Sequence, residues 1–367
     1  MSTKPRWVVT LIAAASLSLA ACGQGGTPAA TPTPVPVDQP PAEVTLAGVV
    51  QTDLAAPWAV AFTPDGGALI TERDTGLVRY RSAQGEITDL GVVPQVVAEG
   101  EGGLLGITLD PQNPDIMFVY ITAASDNRIL RMPWSTVGLG DATVILDGIE
   151  KATFHNGGRI ITGPDGHLYV GTGDAGEPDI AQDPTRLAGK VLRVTTDGEV
   201  PPGNPVSDSP VWTLGHRNVQ GLAFDAQGQL WASEFGTSIA DELNVLTAGG
   251  NYGWPIHEGA AQAPGFIDPV AQWSPTSLAS PSGIAITTGS SPAVYVASLR
   301  GEVLWQVPIQ DGRAGEPRAV ELGDLGRLRT VDVTPQGGLW LTTNNTDGRG
   351  EPRPTDDRIL ELKLTNS

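Results

Sequence analysis

One pattern of apolar and polar positions recurs along the chain. It runs from an alternating apolar stretch through a turn of Pro, Asp and Gly to a second apolar stretch ending in small or hydroxyl residues. The copies are Val60-AFTPDGGALIT, Ile107-TLDPQNPDIMFVYIT, Ile160-ITGPDGHLYVGT, Leu222-AFDAQGQLWAS, Ile284-AITTGSSPAVYVAS and Val331-DVTPQGGLWLTT. Period-two alternation predicts strands, and the turns supply positive φ at glycine and a pre-set φ at proline, so each copy predicts a hairpin. The copies begin about 47 to 62 residues apart, the span of a four-stranded propeller blade with variable loops. Six copies predict an all-β fold, a six-bladed β-propeller of four-stranded antiparallel blades. A sandwich does not repeat one hairpin at this period, and no helical pattern of ten or more residues follows the N-terminal segment to support a βαβ fold. The alternating C-terminal segment Arg358-ILELKL is expected to close the ring by pairing with strands of the first or last blade.

The first 43 residues lie outside this pattern. Lys4 and Arg6 precede an apolar run from Trp7 to Ala20, and Leu19-Ala20-Ala21-Cys22 ends it. A basic start, a short apolar stretch and small residues before a cut site describe an export signal, too short to span a bilayer comfortably. Cys22 after those small residues resembles a bacterial lipobox, which implies cleavage before Cys22 and lipidation of its sulfur. A plain signal peptide with an incidental cysteine is the simpler alternative. Residues 23–43 are rich in Pro, Thr and Ala, with almost nothing to bury, and read as an extended tether. The expected organisation is a lipoprotein signal over 1–21, a lipid-anchored tether over 22–43 and the propeller over 44–367. The expected place is the extracytoplasmic face of a membrane in the cell envelope.

Composition narrows the function. With 22 Lys and Arg against 41 Asp and Glu, the net charge is −19, and a chain this acidic lacks the basic face that tracks nucleic-acid phosphates. Cys22 is the one cysteine, so neither an intramolecular disulfide nor a cysteine-rich zinc site can form.

The candidate chemistry sits just outside the hairpins, where a propeller gathers loops from every blade onto one rim. His155, in Thr153-Phe154-His155-Asn156-Gly157-Gly158-Arg159, precedes the third hairpin, and Asp174, in Gly171-Thr172-Gly173-Asp174, follows it. Alone, His155 reads more readily as a satisfied loop or core histidine, but Asp174 at the far end of one hairpin is placed to fix its tautomer as a general base requires. In Leu214-Gly215-His216-Arg217-Asn218-Val219-Gln220, four consecutive polar side chains are costly to bury without a ligand or a network. His216 suits a structural cluster, and Arg217 and Asn218 suit ligand contact. The acidic loop from Ser233 to Asn244 and Gly249-Gly250-Asn251-Tyr252-Gly253-Trp254 offer hard oxygen ligands of the kind calcium selects, or simply a solvated acidic surface. Arg327 and Arg329 alternate onto one strand face, with Arg300 near the equivalent place in the fifth repeat. Adjacent guanidinium groups call for an anion between them, or for salt bridges to the abundant carboxylates.

Taken in order, HNGGR, GDAG, AQD, GHRNVQGL, SEFG with DELN, GGNYGWP, WSPT with ASPSG, GRLR and NNTDGRG resemble the soluble quinoprotein aldose and glucose dehydrogenases, which use pyrroloquinoline quinone (PQQ) and calcium. The likeness runs from about Leu54 to Arg358, and that family's six-bladed propeller agrees with the repeat count. It implies His155 as the base taking the anomeric proton of an aldose while hydride leaves C1 for the quinone. Asp174 would orient His155, and Arg217 would stabilise charge on the quinone oxygen. Glu101, Asn218, Arg300, Arg327 and Arg329 would contact the cofactor. The carbonyls of Gly236 and Thr237 would bind a catalytic calcium, and Glu242 with the Tyr252 carbonyl a structural one. Three positions depart from the glucose enzymes: Glu101 replaces a glutamine, Arg300 a lysine and Thr237 a proline. A carboxylate beside an anionic cofactor weakens binding unless it pairs with a rim arginine or is protonated. Short loops such as Ala123-Ala124-Ser125-Asp126-Asn127-Arg128 imply an open site with broad aldose use and an unidentified electron acceptor. The rival function is a lipid-anchored propeller that binds carbohydrate or protein without redox chemistry. A calcium-dependent hydrolase comes third, for want of a further carboxylate cluster.

Overall fold

A computed structural model describes residues 34–36 and 41–365. The export signal over 1–21, Cys22 and most of the tether lie outside the described residues. The repeats fold into six antiparallel sheets. The innermost strands are Pro57–Phe62, Leu104–Leu109, Ile160–Thr162, Val219–Phe224, Pro281–Ile286 and Leu328–Val333. Each packs on the next, and the last packs on the first, so the ring is closed. Two short 3-10 turns, Pro178–Gln182 and Thr276–Leu278, are the only helical elements among the described residues.

Each sequence phrase is the hairpin between the innermost and second strands of a blade. In the first, the Thr63 amide donates to the Gly67 carbonyl at 2.9 Å, and Gly66 turns the chain at φ +84°. Asp65 then accepts from Thr63 Oγ1 at 2.5 Å and from Tyr80 Oη at 2.5 Å, tying the turn to the third strand. The second strands Ala68–Glu72, Ile116–Thr122, Leu168–Gly171, Leu230–Glu234 and Ala293–Ser298 are buried along their whole length. Neighbouring blades cover both of their faces, which is why these segments read as near-continuous apolar runs.

Closure uses both chain ends. Ile359–Thr365 pairs with Leu339–Thr343 of the last blade, and Glu43–Gln51 pairs antiparallel outside it, with Leu46 opposite Leu362. The last blade thus takes its outermost strand from the N-terminal side of the chain, and the fold leaves no open seam. Ahead of that strand, the Val35 amide donates to the Ala314 carbonyl at 3.1 Å and the Ala42 carbonyl accepts from Gln306 Nε2 at 2.9 Å.

Candidate active site

The loops entering the innermost strands and those leaving the second strands meet at one rim of the ring. Trp58 forms its floor, with the Arg159 guanidinium 4.3 Å from its ring centroid and that of Arg329 at 5.8 Å. Gln220 joins this layer, accepting from Arg329 Nη1 at 3.0 Å while its own carbonyl accepts from Arg159 Nε at 2.9 Å.

His155 and Asp174 meet as the hairpin reading expected, with Nδ1 2.7 Å from Oδ1. The loops that carry them lie backbone on backbone: a Cβ on Gly173 would stand 2.0 Å from the His155 carbonyl oxygen. His155 itself adopts φ +57°, in the left-handed region that few non-glycine residues hold. Asp174 also accepts from the Gly176 amide at 2.8 Å and from Trp254 Nε1 at 2.8 Å. With every other partner a donor, this carboxylate fixes the proton on His155 Nδ1 and leaves Nε2 as the free lone pair. The imidazole side chain is 13% exposed and the carboxylate 1%, so the open edge belongs to the histidine.

Glu234 organises the next loop. One oxygen takes His216 Nδ1 at 2.8 Å and the other the Arg217 amide at 2.9 Å, while Thr213 Oγ1 holds His216 Nε2 at 2.8 Å. His216 is buried and stacked on Tyr252, the structural cluster anticipated for it. The Arg217 Nη1 group donates to the Gly236 carbonyl at 2.6 Å, and its guanidinium lies 5.4 Å from the Trp254 ring centroid. Asn218 is buried and accepts from the Gly157 amide at 2.9 Å, bracing the His155 loop.

An open pocket of about 330 Å³, solvent at its mouth included, is lined by Trp58, Arg73, Glu101, Arg327, Arg329 and Arg349, with Asp347 beside them. Arg327 makes the salt bridge, to Asp347 through Nε at 3.1 Å and Nη2 at 3.0 Å. Arg329 instead bonds neutral Gln220 and Ser282. Burial first, then Arg73 and Arg327 beside it, pull the Arg329 guanidinium down to about 9. Glu101 has the partner its position requires: Oε1 pairs with Arg349 Nη1 at 2.8 Å. Arg300 stands apart; Leu299 lines the pocket, but Arg300 itself is exposed.

Of the proposed calcium ligands, Thr237 is exposed, and its amide and hydroxyl donate to Glu258 at 2.7 and 2.6 Å. Glu242 is buried beside Glu234, with Asn244 Nδ2 bridging the two carboxyls at 3.0 and 2.9 Å. Burial, then the charge of Glu234, raises the Glu242 carboxyl. Tyr252 packs beneath with its amide on the Leu214 carbonyl. Among the described residues no group of three or more His, Cys, Asp or Glu side chains is set to hold a metal ion.

Over residues 54–353 the sequence matches the family described as glucose/sorbosone dehydrogenase. The chain belongs to the glucose/sorbosone dehydrogenase family. It is similar to a PQQ-bound aldose sugar dehydrogenase from Streptomyces coelicolor, at 48% identity and a TM-score of 0.85 over 89% of this chain and 99% of that one. A putative oxidoreductase (glucose dehydrogenase) from Thermus thermophilus shares 39% identity and a TM-score of 0.79, over 88% of this chain and all of that one. The Escherichia coli aldose sugar dehydrogenase is 29% identical over 82% of this chain and 90% of its own length. Membership in this family makes the chain an oxidoreductase.

The sequence motifs named most of the rim, but no role was read for Arg73, Trp58, Gln220, Asp347, Arg349 and Trp254. A signal existed for two of them. Asp347 and Arg349 fall in Asn344-Asn345-Thr346-Asp347-Gly348-Arg349-Gly350, which follows the sixth hairpin where Asp174 follows the third. Arg73 carries no local mark, and Trp254 lies in the quoted motif Gly249–Trp254 with no sign there of its bond to Asp174; only the fold brings them in.

Proposed function

We propose that this chain oxidises aldose sugars at C1 to lactones with PQQ and calcium, and that it takes a broad range of aldoses. The observation that carries the reading is the His155–Asp174 pair, with one free imidazole edge, joined through the His155 amide and Glu101 to an arginine-lined pocket.

The residues present fit an anionic, acceptor-rich group. Asn218 Nδ2, Arg217 Nε and Arg329 Nε are buried donors with no hydrogen-bond partner, and such donors are costly to leave unmade. Asn218, Arg327 and Arg329 would hold the quinone carboxylates and carbonyls. Arg300, exposed as it stands, would contribute only long-range charge. The carbonyls of Gly236 and Thr237 would bind the calcium, with Asp241 and Glu258 nearby to offset its charge; the Gly236 carbonyl accepts from Arg217 Nη1 at 2.6 Å, so that guanidinium would have to give way to the ion. Glu242, Glu234 and the unpartnered Asn244 Oδ1 form a second acceptor-rich cluster, which together with the Tyr252 carbonyl supports a structural calcium. When bound, PQQ supplies acceptance of the C1 hydride, with calcium as Lewis acid on its carbonyl.

The chain's own residues manage the proton and the charge. His155 Nε2 takes the anomeric hydroxyl proton as the C–H bond breaks. Asp174 holds the imidazole in that tautomer and supports the imidazolium that results. Trp254 and Gly176 fix Asp174 in turn. Arg217 brings positive charge to a site where oxyanion character develops, in surroundings that screen it poorly.

The test is reconstitution. Apoprotein with calcium and micromolar PQQ should reduce an artificial dye when given a sugar, and absence of both binding and turnover overturns the reading. Broad specificity rests on the short loops around the rim; one sugar preferred by several orders of magnitude over all other aldoses would remove it. We also propose that Cys22 is lipidated, anchoring the propeller at the outer face of a membrane. Mass spectrometry finding an unmodified thiol, or a mature start elsewhere, argues against the anchor.

A further inference from the structure

The pocket that holds Arg327 and Arg329 also brings together Glu101, from the loop ahead of the second blade, and Arg349, from the loop within the sixth. Glu101 Oε2 accepts the His155 amide at 3.0 Å, while Oε1 accepts from Arg349 Nη1 at 2.8 Å. The carboxylate therefore serves the backbone of the proposed base and an arginine whose side chain is 57% exposed. The Arg349 backbone is itself held in place: Asp347 Oδ1 accepts its amide at 2.9 Å and that of Gly350 at 3.2 Å. Asp347 Oδ2 meanwhile holds Arg327 and accepts from Asn344 Nδ2 at 2.8 Å. A continuous line of contacts thus runs from Arg327 through Asp347, Arg349 and Glu101 to the His155 backbone.

Four guanidinium groups, of Arg73, Arg327, Arg329 and Arg349, face two carboxylates, of Glu101 and Asp347, in the pocket. Arg73 is also paired with Asp74, Nε to Oδ1 at 2.6 Å, which leaves an excess of one guanidinium. Burial pushes the Glu101 carboxyl up, but the His155 amide and Arg349 outweigh it and hold the group below the usual carboxylate range. Glu101 is therefore charged at neutral pH and repels any anion in the pocket unless Arg349 offsets it. Without Arg349 that excess is gone.

We propose that Arg349 is an affinity-determining residue for the anionic cofactor, acting by neutralising Glu101. A neutral amide at position 101 needs no such partner; the carboxylate does, and the sixth-blade loop supplies it. The proposal rests on the quinone reading above and concerns the way this chain accommodates its own Glu101.

The experiment titrates the calcium-loaded apoprotein with PQQ and follows quenching of tryptophan fluorescence, for which Trp58 in the pocket wall is placed. R349A should weaken binding about tenfold or more, as expected for leaving a charge unpaired beside an anionic ligand. Its melting temperature without cofactor should fall only slightly, because Arg349 is largely exposed and the His155 amide still holds Glu101. The double variant E101Q/R349A should recover to within about threefold of wild type, since the glutamine side chain still accepts the His155 N–H and carries no charge. E101Q alone should bind at least as tightly as wild type. R349A binding as the wild type does, or E101Q failing to rescue it, overturns the proposal alone. A wild-type chain that does not bind PQQ overturns the functional reading and this proposal with it.

Discussion

Replacing Asp174 by Asn tests the site where its geometry is tightest. Three donors converge on this carboxylate: His155 Nδ1, the Gly176 amide and Trp254 Nε1, at 2.7, 2.8 and 2.8 Å. An amide presents one acceptor oxygen and one donor nitrogen. With its oxygen toward His155 and Gly176, its NH2 opposes the Trp254 N–H. Turned over, it satisfies Trp254 but sets NH2 against the Gly176 amide and draws the His155 proton onto Nε2, the atom that must accept from substrate. Each orientation leaves a buried donor unmet, a cost of about 1–3 kcal/mol. The second also removes general-base help worth roughly 10² to 10⁴ in rate. We expect D174N to lower kcat at least about 10²-fold in dye-linked assays at saturating cofactor. Asp174 does not line the arginine pocket, so PQQ binding should be little changed. A D174N protein that keeps kcat within about twofold of wild type, with PQQ bound, refutes the tautomer argument.

Three further outcomes follow from the fold. Asp332 lies at the opposite mouth of the channel, where burial, only partly offset by Arg159, raises its carboxyl from 3.8 to about 6. The folded chain therefore holds this proton after the unfolded chain has lost it, and stability from this group falls as pH rises from about 4 to about 6. That gap corresponds to at most about 3 kcal/mol, and partial exposure brings it nearer ~1 kcal/mol. D332N should raise Tm at pH 7 and flatten its fall across that window; an unchanged pH profile counts against the assignment. Lys190 Nζ donates to the carbonyls of Ile180, Ala181 and Ala188 at 2.8, 3.1 and 2.7 Å. K190M strands these buried acceptors and should cost about 2 kcal/mol or more in denaturant unfolding; wild-type stability would show that the turn does not depend on them. A chain beginning at Thr52 loses the strand that covers Ile359–Thr365 and should melt lower and aggregate, whereas one beginning at Pro41 should melt with the full chain. Equal melting of the two contradicts closure through Glu43–Gln51.

The hairpins were legible because strand alternation and turn chemistry are local. The Asp65 turn needs only Thr63, Gly66 and Gly67 to declare itself. The N-terminal strand was harder to read, since it lies outermost and Leu46 and Val49 are exposed, so its apolar positions follow no clean period. The same distinction divides the site. His155 and Asp174 flank one hairpin, and the link between hairpin ends could be inferred from sequence. Trp254 reaches Asp174 across 80 positions, and Arg349 reaches Glu101 from the far end of the chain. The local sequence does not show that either pair meets. Arg300 shows the converse: its repeat position was right for the rim, but its side chain stands exposed beside the pocket.

The carboxylates among the rim arginines bear on how an acidic chain prepares a basic pocket. An arginine pointing freely into solvent must lose rotamer freedom when an anion arrives, and that loss is subtracted from affinity. Here Arg327 is already fixed by Asp347 and Arg349 by Glu101. The partners take some donors and leave others unmet, as at Arg217 Nε and Arg329 Nε. Neutralisation alone does not explain this arrangement, because Arg329 is held by an amide and a hydroxyl with no carboxylate in contact. What Asp347, Gln220 and Ser282 share is that each fixes a guanidinium in direction, and preorganised dipoles and charges of that kind stabilise developing charge without reorganising during the reaction. Removing such a partner should therefore change the rate more than the net charge of the pocket would suggest.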